Sequence, residues 1–153
     1  MVKEKKSIKV LLVDDEEAFV NTLAQRLKMR DLLVDTVYDG EQALSFIKKT
    51  EPDVIVLDLK MPGLHGIEVL REVKKVKQQI QVIILTGHGT EKDEAEAKKL
   101  GGFDFLRKPA DIDLLVAKIK EAFQEKVERA MTAIAFAEEG LHDTAQKIMK
   151  KEE

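Results

Sequence analysis

Short runs of apolar and β-branched residues alternate along the chain with longer stretches in which apolar residues recur at helical spacing. Such runs, bounded by polar residues, are typical of strands that are buried on both faces of a parallel sheet. Strands are predicted at residues 10–13, 33–37, 54–57, 82–85 and 103–106. Helices are predicted at residues 18–29, 41–48, 66–76, 91–100 and from 112 onward. The alternation predicts an α/β domain of five β-α repeats.

The handedness of the crossover connections limits the order of these strands. Right-handed β-α-β crossovers leave few topologies for a five-stranded parallel sheet with helices on both faces. One of them is the flavodoxin-like order 2-1-3-4-5. We expect this order, which places the ends of the first and third strands side by side.

Four of the predicted strands end close to ionisable or hydroxyl side chains. The first strand leads into Asp14 and Asp15, and the third leads into Asp58. Thr86 comes after the fourth strand, and Lys108 comes shortly after the fifth. Open parallel sheets bind their ligands at the carboxyl ends of the strands. The sequence therefore predicts that three carboxylates, a hydroxyl and an ammonium group meet at one edge.

This set of groups suits phosphoryl transfer. Three carboxylates in contact repel one another, so a cation is expected among them. Oxygen ligands without histidine or cysteine suit Mg²⁺, which also binds phosphate oxygens. Lys108 adds a positive charge for the phosphoryl group, and the Thr86 hydroxyl can donate to one of its oxygens. Asp58 would then be the nucleophile that forms an aspartyl phosphate.

Each of these residues also has an ordinary structural interpretation. An Asp-Asp pair after a strand is often a helix N-cap, and the Met61–Gly63 segment after Asp58 is typical of a turn. Thr86 could simply end a strand, and Lys108 could be a surface lysine. We favour the chemical interpretation because all of these positions converge on one edge of a parallel sheet.

Four segments of the chain resemble the receiver domain of bacterial two-component response regulators. They are VDDE at 13–16, DLKMPGLHG at 58–66, TG at 86–87 and FLRKP at 105–109, in the order and spacing of that family. The resemblance covers about residues 7–123.

The resemblance implies that a sensor histidine kinase or a phosphotransfer protein passes a phosphoryl group to Asp58. It implies that Mg²⁺ is held by Asp15, Asp58 and the backbone carbonyl of Lys60, while Asp14 acts through water. The protein would be a signalling phosphoacceptor rather than an enzyme, catalysing only its own phosphorylation and slow dephosphorylation.

The resemblance also implies a conformational switch. Thr86 and Phe105 match the threonine and the aromatic residue that move together, reshaping the face made by the fourth helix, the fifth strand and the fifth helix. Because Phe105 lacks the hydroxyl of a tyrosine, its inward and outward rotamers are expected to differ only in packing.

The resemblance further implies roles for residues in the loops. Lys60 and His88 would flank the path of a hydrolytic water and tune the lifetime of the phosphoryl group. The peptide bond before Pro109 is cis in the family.

The bulk properties of the 153 residues fit one domain. The net charge is −3, which disfavours nucleic-acid binding, and the chain has no cysteine. We expect no membrane insertion, because no apolar run approaches the roughly 18 residues of a span. Residues 1–6 are predicted to be disordered, and the predicted location is the cytoplasm.

Residues 124–153 lie beyond the resemblance and are predicted to be helical. An apolar stripe continues at helical spacing from Ile112 to Ala137, which predicts a helix of about 28 residues, roughly 42 Å long. Gly140 is expected to end it, and a short second helix would complete a C-terminal hairpin. The exposed stripe leaves three roles open: a homodimer through this helix, docking onto a kinase or effector, or folding back onto the domain.

Two alternatives from other classes remain. A receiver-like scaffold or dimerisation module that works without phosphorylation would keep the fold and need no chemistry at Asp58. A phosphatase of the haloacid dehalogenase type would need an acid two residues after its nucleophile. Lys60 occupies that position, so the sequence disfavours the phosphatase.

Overall fold

The computed structural model describes the backbone of residues 7–151 and the side chains of residues 7–140. The strands are β1 Lys9–Val13, β2 Leu33–Val37, β3 Val54–Leu57, β4 Gln81–Thr86 and β5 Asp104–Arg107. The helices are α1 Glu17–Lys28, α2 Gly40–Lys49, α3 Gly66–Val76, α4 Glu91–Lys99 and α5 Ile112–Lys151. These bounds confirm the predicted series of elements. The prediction of disorder at residues 1–6 lies outside the described residues.

The five strands form one parallel sheet in the order β2-β1-β3-β4-β5. The predicted flavodoxin-like order is therefore confirmed. Successive side chains of a strand point to opposite faces, so β1 contributes to two cores. Leu11 packs in the core with α2 and α3, whereas Leu12 packs in the core with α1 and α5. Because helices cover both faces, the open edges at the strand ends are where a site can form.

The predicted C-terminal hairpin is wrong. A single helix, α5, runs without interruption from Ile112 to Lys151 and contains 40 residues, which corresponds to about 60 Å. Gly140 does not end the helix. A glycine inside a helix costs only about 1 kcal/mol relative to alanine, and good helix formers flank it here. A local penalty of this size does not break the helix.

Polar contacts hold the middle of α5 against the edge where β3 and β4 begin. Lys126 forms an ion pair of 2.6 Å with Asp53, which precedes β3. The buried side chain of Gln81, the first residue of β4, donates to the carbonyl oxygen of Ala122 at 3.0 Å. From residue 128 to residue 140 the helix is exposed. It therefore projects away from the domain, on the side opposite the carboxyl ends of the strands.

The projecting part of α5 carries large apolar side chains. Those of Met131, Ile134 and Phe136 are exposed to 67%, 59% and 69%. Within the described part of the chain, no helix is both long enough and apolar enough to cross a membrane. The exposed apolar residues lie on a helix that also carries charged residues.

Candidate functional site

The polar residues predicted to converge do so at the carboxyl ends of the strands. Asp14 follows β1, Asp58 follows β3, Thr86 ends β4 and Lys108 follows β5. Asp14, Asp58 and Thr86 are buried, with exposures of 4%, 3% and 0%. Buried carboxylates are rare unless they are paired or bind a cation, so this edge is unlike an ordinary strand end.

The ammonium group of Lys108 lies among the carboxylates. Its Nζ is 2.6 Å from Oδ2 of Asp14, 3.5 Å from Oε1 of Glu16 and 3.8 Å from Oδ2 of Asp58. It also lies 4.3 Å from the ring centroid of Phe19, a distance that allows a cation–π contact. Burial disfavours the charged form, but the hydrogen bond from Lys108 to Asp14 and the negative charges of Asp14, Asp58 and Glu16 together outweigh burial and raise the pKa of Lys108. Lys108 therefore stays protonated.

One carboxylate oxygen of Asp58 has no hydrogen-bond partner in the described structure. Among the described residues, none forms a hydrogen bond with its buried Oδ1. Burial raises the pKa of Asp58, and the Thr86 hydroxyl lowers it. The negative charge of Asp14 raises this pKa further, and the positive charge of Lys108 lowers it. A desolvated carboxylate with a free lone pair is suited to bind a cation or to attack an electrophile.

A divalent cation fits the oxygen atoms at this edge. Asp14, Glu16 and Asp58 each offer a carboxylate oxygen, and these atoms lie within 4.8 Å of one another. Oxygen ligands of this kind suit Mg²⁺, and the unpartnered Oδ1 of Asp58 supplies a free lone pair. Asp15 and Lys60, whose roles the resemblance implied, are both exposed, and Asp15 lies outside this group of three.

Glu16 was not predicted as a member of the site. Its backbone N–H donates to Oδ1 of Asp14 at 2.9 Å, so the turn after β1 folds its residues back toward Asp14. The sequence signal was its position in the VDDE segment, two residues after Asp14. Only the path of this turn shows that Glu16, rather than its neighbour Asp15, joins Asp14 and Asp58 in the described structure.

Gly66 allows α3 to begin against the backbone of Asp58. A Cβ added at Gly66 would lie 2.4 Å from the carbonyl oxygen of Asp58 and 2.6 Å from Cα of Leu59. The N–H of Gly66 donates to the carbonyl oxygen of Leu59 at 2.8 Å. His65 caps this helix, because its Nδ1 accepts from the N–H of Ile67. The start of α3 therefore fixes the main chain that carries Asp58.

The loop between β4 and α4 joins Thr86 to the aromatic residue of β5. Oγ1 of Thr86 accepts a hydrogen bond of 3.3 Å from the N–H of His88. Phe105 is partly buried and packs close to Gly89 in this loop. The two residues predicted to form a switch, Thr86 and Phe105, are therefore linked through the loop.

The remaining predicted positions occupy the loops around this edge. His88 is exposed in the loop after β4, as Lys60 is after β3. The Lys108–Pro109 peptide bond is cis, as the resemblance implied. Sequence reasoning gave no role to Phe19, Gly89 or Arg107, because their contacts join segments that are far apart in the chain.

The chain is similar to known proteins in sequence and in fold. The family described as the response regulator receiver domain matches residues 10–120. A response regulator receiver domain protein from Clostridium thermocellum is 35% identical, with a TM-score of 0.74, over 78% of this chain and 96% of that chain. The signal receiver domain of a putative Luxo repressor protein from Vibrio parahaemolyticus is 28% identical, with a TM-score of 0.77, over 82% and 97%.

A longer protein also matches. NtrX from Brucella abortus, solved in complex with ADP, is 27% identical, with a TM-score of 0.78. The match covers 83% of this chain but only 29% of the NtrX chain. The family match ends at residue 120, so it leaves most of α5 unmatched.

Proposed function

The chain belongs to the response regulator receiver family, and on that premise we propose that it accepts a phosphoryl group on Asp58. The donor would be a phosphohistidine of a sensor histidine kinase or of a phosphotransfer protein in a cytoplasmic two-component pathway. The observation that carries this proposal is the buried carboxylate of Asp58. Its Oδ1 has no hydrogen-bond partner among the described residues, and its Oδ2 lies 3.8 Å from Nζ of Lys108.

In the proposed reaction, an oxygen of Asp58 forms a bond to phosphorus while the P–N bond of the phosphohistidine breaks. The leaving imidazole keeps the electron pair of that bond. Lys108 is protonated and close to Asp58, so it can offset the charge on the phosphoryl oxygens. The Thr86 hydroxyl can donate a hydrogen bond to one of these oxygens.

The site also fits Mg²⁺, which would neutralise charge on the transferred group when it is bound. We propose that Asp15, Asp58 and the backbone carbonyl of Lys60 hold the ion, with Asp14 acting through water. Glu16 is an additional candidate, because its carboxylate lies with those of Asp14 and Asp58. The all-oxygen donor set and the free lone pair on Asp58 support this proposal.

Phosphorylation would act on the rest of the molecule through Thr86 and Phe105. We propose that their movement reshapes the face made by α4, β5 and α5, which would contact other proteins. Lys60 and His88 would set the lifetime of the phosphoryl group from their exposed positions in the loops after β3 and β4. The contact chain from Thr86 through the β4–α4 loop to Phe105 supports this coupling.

We expect the purified protein to gain one phosphoryl group from acetyl phosphate in the presence of Mg²⁺. Intact-mass spectrometry measures the gain, and peptide mapping should place it on the peptide that contains Asp58. A sample with excess chelator is the control and should gain little, because the carboxylates then lack their cation. No gain at saturating Mg²⁺ would favour the alternative, a receiver-like scaffold that works without phosphorylation.

The projecting half of α5 supports a second proposal, that two copies of the chain pair through this helix. Ala130, Ile134 and Ala137, with the half-buried Val127 one turn before Ala130, are spaced alternately by three and four residues, as in the seam of a coiled coil. Val127 and Ile134 occupy the alternate positions at which parallel two-stranded coiled coils favour β-branched residues, and alanine occupies the other two. An isolated helix that exposes such residues is marginal in water, so a second copy would stabilise it.

Replacing Ile134 with glutamate should separate the two copies. A charge in the seam would be desolvated without a partner, so we expect the dimer dissociation constant to rise about tenfold or more. Light scattering across a range of protein concentrations measures this change. Thr132→Glu adds the same charge on the opposite side of the helix and should leave the dimer intact. A wild-type protein that stays monomeric at high concentration would contradict the dimer.

A further inference from the structure

Two side chains of β5 hold the loop between β4 and α4. Phe105 and Arg107 are two residues apart on the strand, so their side chains leave the same face. The loop passes over them between the end of β4 at Thr86 and the start of α4 at Glu91. Both β5 side chains reach the same loop residue, Gly89.

Phe105 contacts the loop at a glycine. A Cβ added at Gly89 would lie 2.3 Å from Cζ of Phe105 and 2.9 Å from Cγ2 of Thr86. The aromatic ring and the threonine methyl group therefore both pack against the loop backbone at Gly89. A shift of the loop would alter both contacts together.

Arg107 adds a polar contact at the same place. Its Nη1 donates a hydrogen bond to the carbonyl oxygen of Gly89. The guanidinium carbon also lies 5.5 Å from the centroid of the Phe105 ring, so the planar group can stack on it. Arg107 therefore supplies a polar contact to the Phe105 ring, which itself has no hydroxyl. This contact adds to the packing that the sequence predicted to position Phe105.

The order of the strands determines whether a movement of the β4–α4 loop strengthens or weakens these contacts. β4 lies between β3 and β5, so Asp58 is on one side of Thr86 and Arg107 is on the other. Thr86 is aligned with Arg107 across the β4–β5 pair. A movement of Thr86 and its loop toward Asp58 is therefore a movement away from β5, and it would lengthen the contact between Arg107 and Gly89.

We propose that Arg107 is a positioning residue that latches the β4–α4 loop onto β5 and thereby opposes the movement of Thr86 toward a phosphoryl group on Asp58. This inference rests on the proposed function. The contact between Arg107 and Gly89 favours the loop position of the unphosphorylated protein. Part of the interaction energy between Thr86 and the phosphoryl group is therefore needed to break this contact.

Arg107→Met removes the hydrogen bond and keeps an apolar stem over the ring. In the unphosphorylated protein, we expect backbone amides at residues 87–90 to exchange with deuterium about three- to tenfold faster, the effect of losing one such contact. With Mg²⁺ and beryllofluoride, an analogue of the phosphoryl group, the half-saturating concentration in calorimetric titration should fall by about the same factor. Arg107→Lys keeps a hydrogen-bond donor, so its exchange rates and half-saturating concentration should lie between those of wild type and Arg107→Met.

Lys98→Met is the matched control, because it removes a cation at the far end of α4 from this loop. It should change neither measurement. Unchanged exchange in Arg107→Met would overturn the latch regardless of the chemistry at Asp58. Faster exchange with an unchanged half-saturating concentration would overturn the positioning role. A wild-type protein that binds no beryllofluoride would overturn the proposed function and this role together, whereas the exchange data identify a failure of the latch alone.

Discussion

Asp58→Asn is expected to abolish phosphoryl uptake from acetyl phosphate and, at the same time, to stabilise the fold at neutral pH. The amide keeps the shape of the carboxylate but is not a nucleophile, so the mass gain should disappear. The buried carboxylate is repelled by Asp14, and one of its oxygens has no hydrogen bond within the described part of the chain. Replacing it with a neutral group should raise the free energy of unfolding by about 1 kcal/mol.

This gain in stability should depend on pH in a defined direction. Burial raises the pKa of Asp58 above its ordinary value of 3.8 in the folded state. Between 3.8 and that raised pKa, the folded protein binds more protons at this group than the unfolded chain. The contribution of Asp58 to stability is therefore present at low pH and is lost as the pH rises through this window.

Urea unfolding of wild type and Asp58→Asn at pH 4 and pH 7 measures this difference. We expect the variant to gain stability relative to wild type as the pH rises, because asparagine does not titrate. The control is Asp113→Asn, which changes a largely exposed acid and should show no comparable pH-dependent gain. A stability difference that is the same at both pH values would contradict the assignment of a raised pKa to Asp58.

Among substitutions of small residues near the site, Gly66→Ala should lower the free energy of unfolding the most. The new Cβ would overlap the backbone of Asp58 and Leu59, and backbone atoms cannot rotate away as a side chain can. We expect the free energy of unfolding to fall by about 3 kcal/mol or more. If the proposed function holds, displacement of Asp58 by about 1 Å should also slow phosphorylation about 100-fold.

Chemical denaturation and the initial rate of mass gain measure these two effects. Gly63→Ala is a suitable control, because it adds the same methyl group to the same loop in open space. Gly63 has a φ of +81°, so this control should cost about 1 kcal/mol from backbone strain alone. Equal losses of stability in the two variants would show that the contact at Gly66 has no effect of its own.

The fold was predictable because its signals are local and repeated. Each buried strand needs a short apolar run, and β3 and β4 are buried along their whole length. Handedness and sheet twist then reduce the number of strand orders to a few. The strand-end positions of Asp14, Asp58, Thr86 and Lys108 followed from this order, since parallel strands bring their carboxyl ends to one edge.

The end of α5 could not be predicted in the same way. Whether a helix continues through Gly140 depends on the difference between a glycine penalty of about 1 kcal/mol and the propensity of the flanking residues. These opposing effects are of similar size, and the spacing of residues along the chain does not show which of them is larger. The sequence pattern did predict correctly that an apolar stripe extends beyond the domain, because amphipathic spacing is visible without tertiary contacts.

The sequence by itself determined the α/β class, the five repeats and the edge at which the charged residues meet, since periodicity and chain order carry that information. Only the tertiary structure decided that Glu16 joins the carboxylates, that Gly66 lies against the backbone of Asp58, and that Arg107 reaches Gly89. These contacts depend on the paths of loops and on atoms within a few ångströms, which no spacing of residue types along the chain specifies.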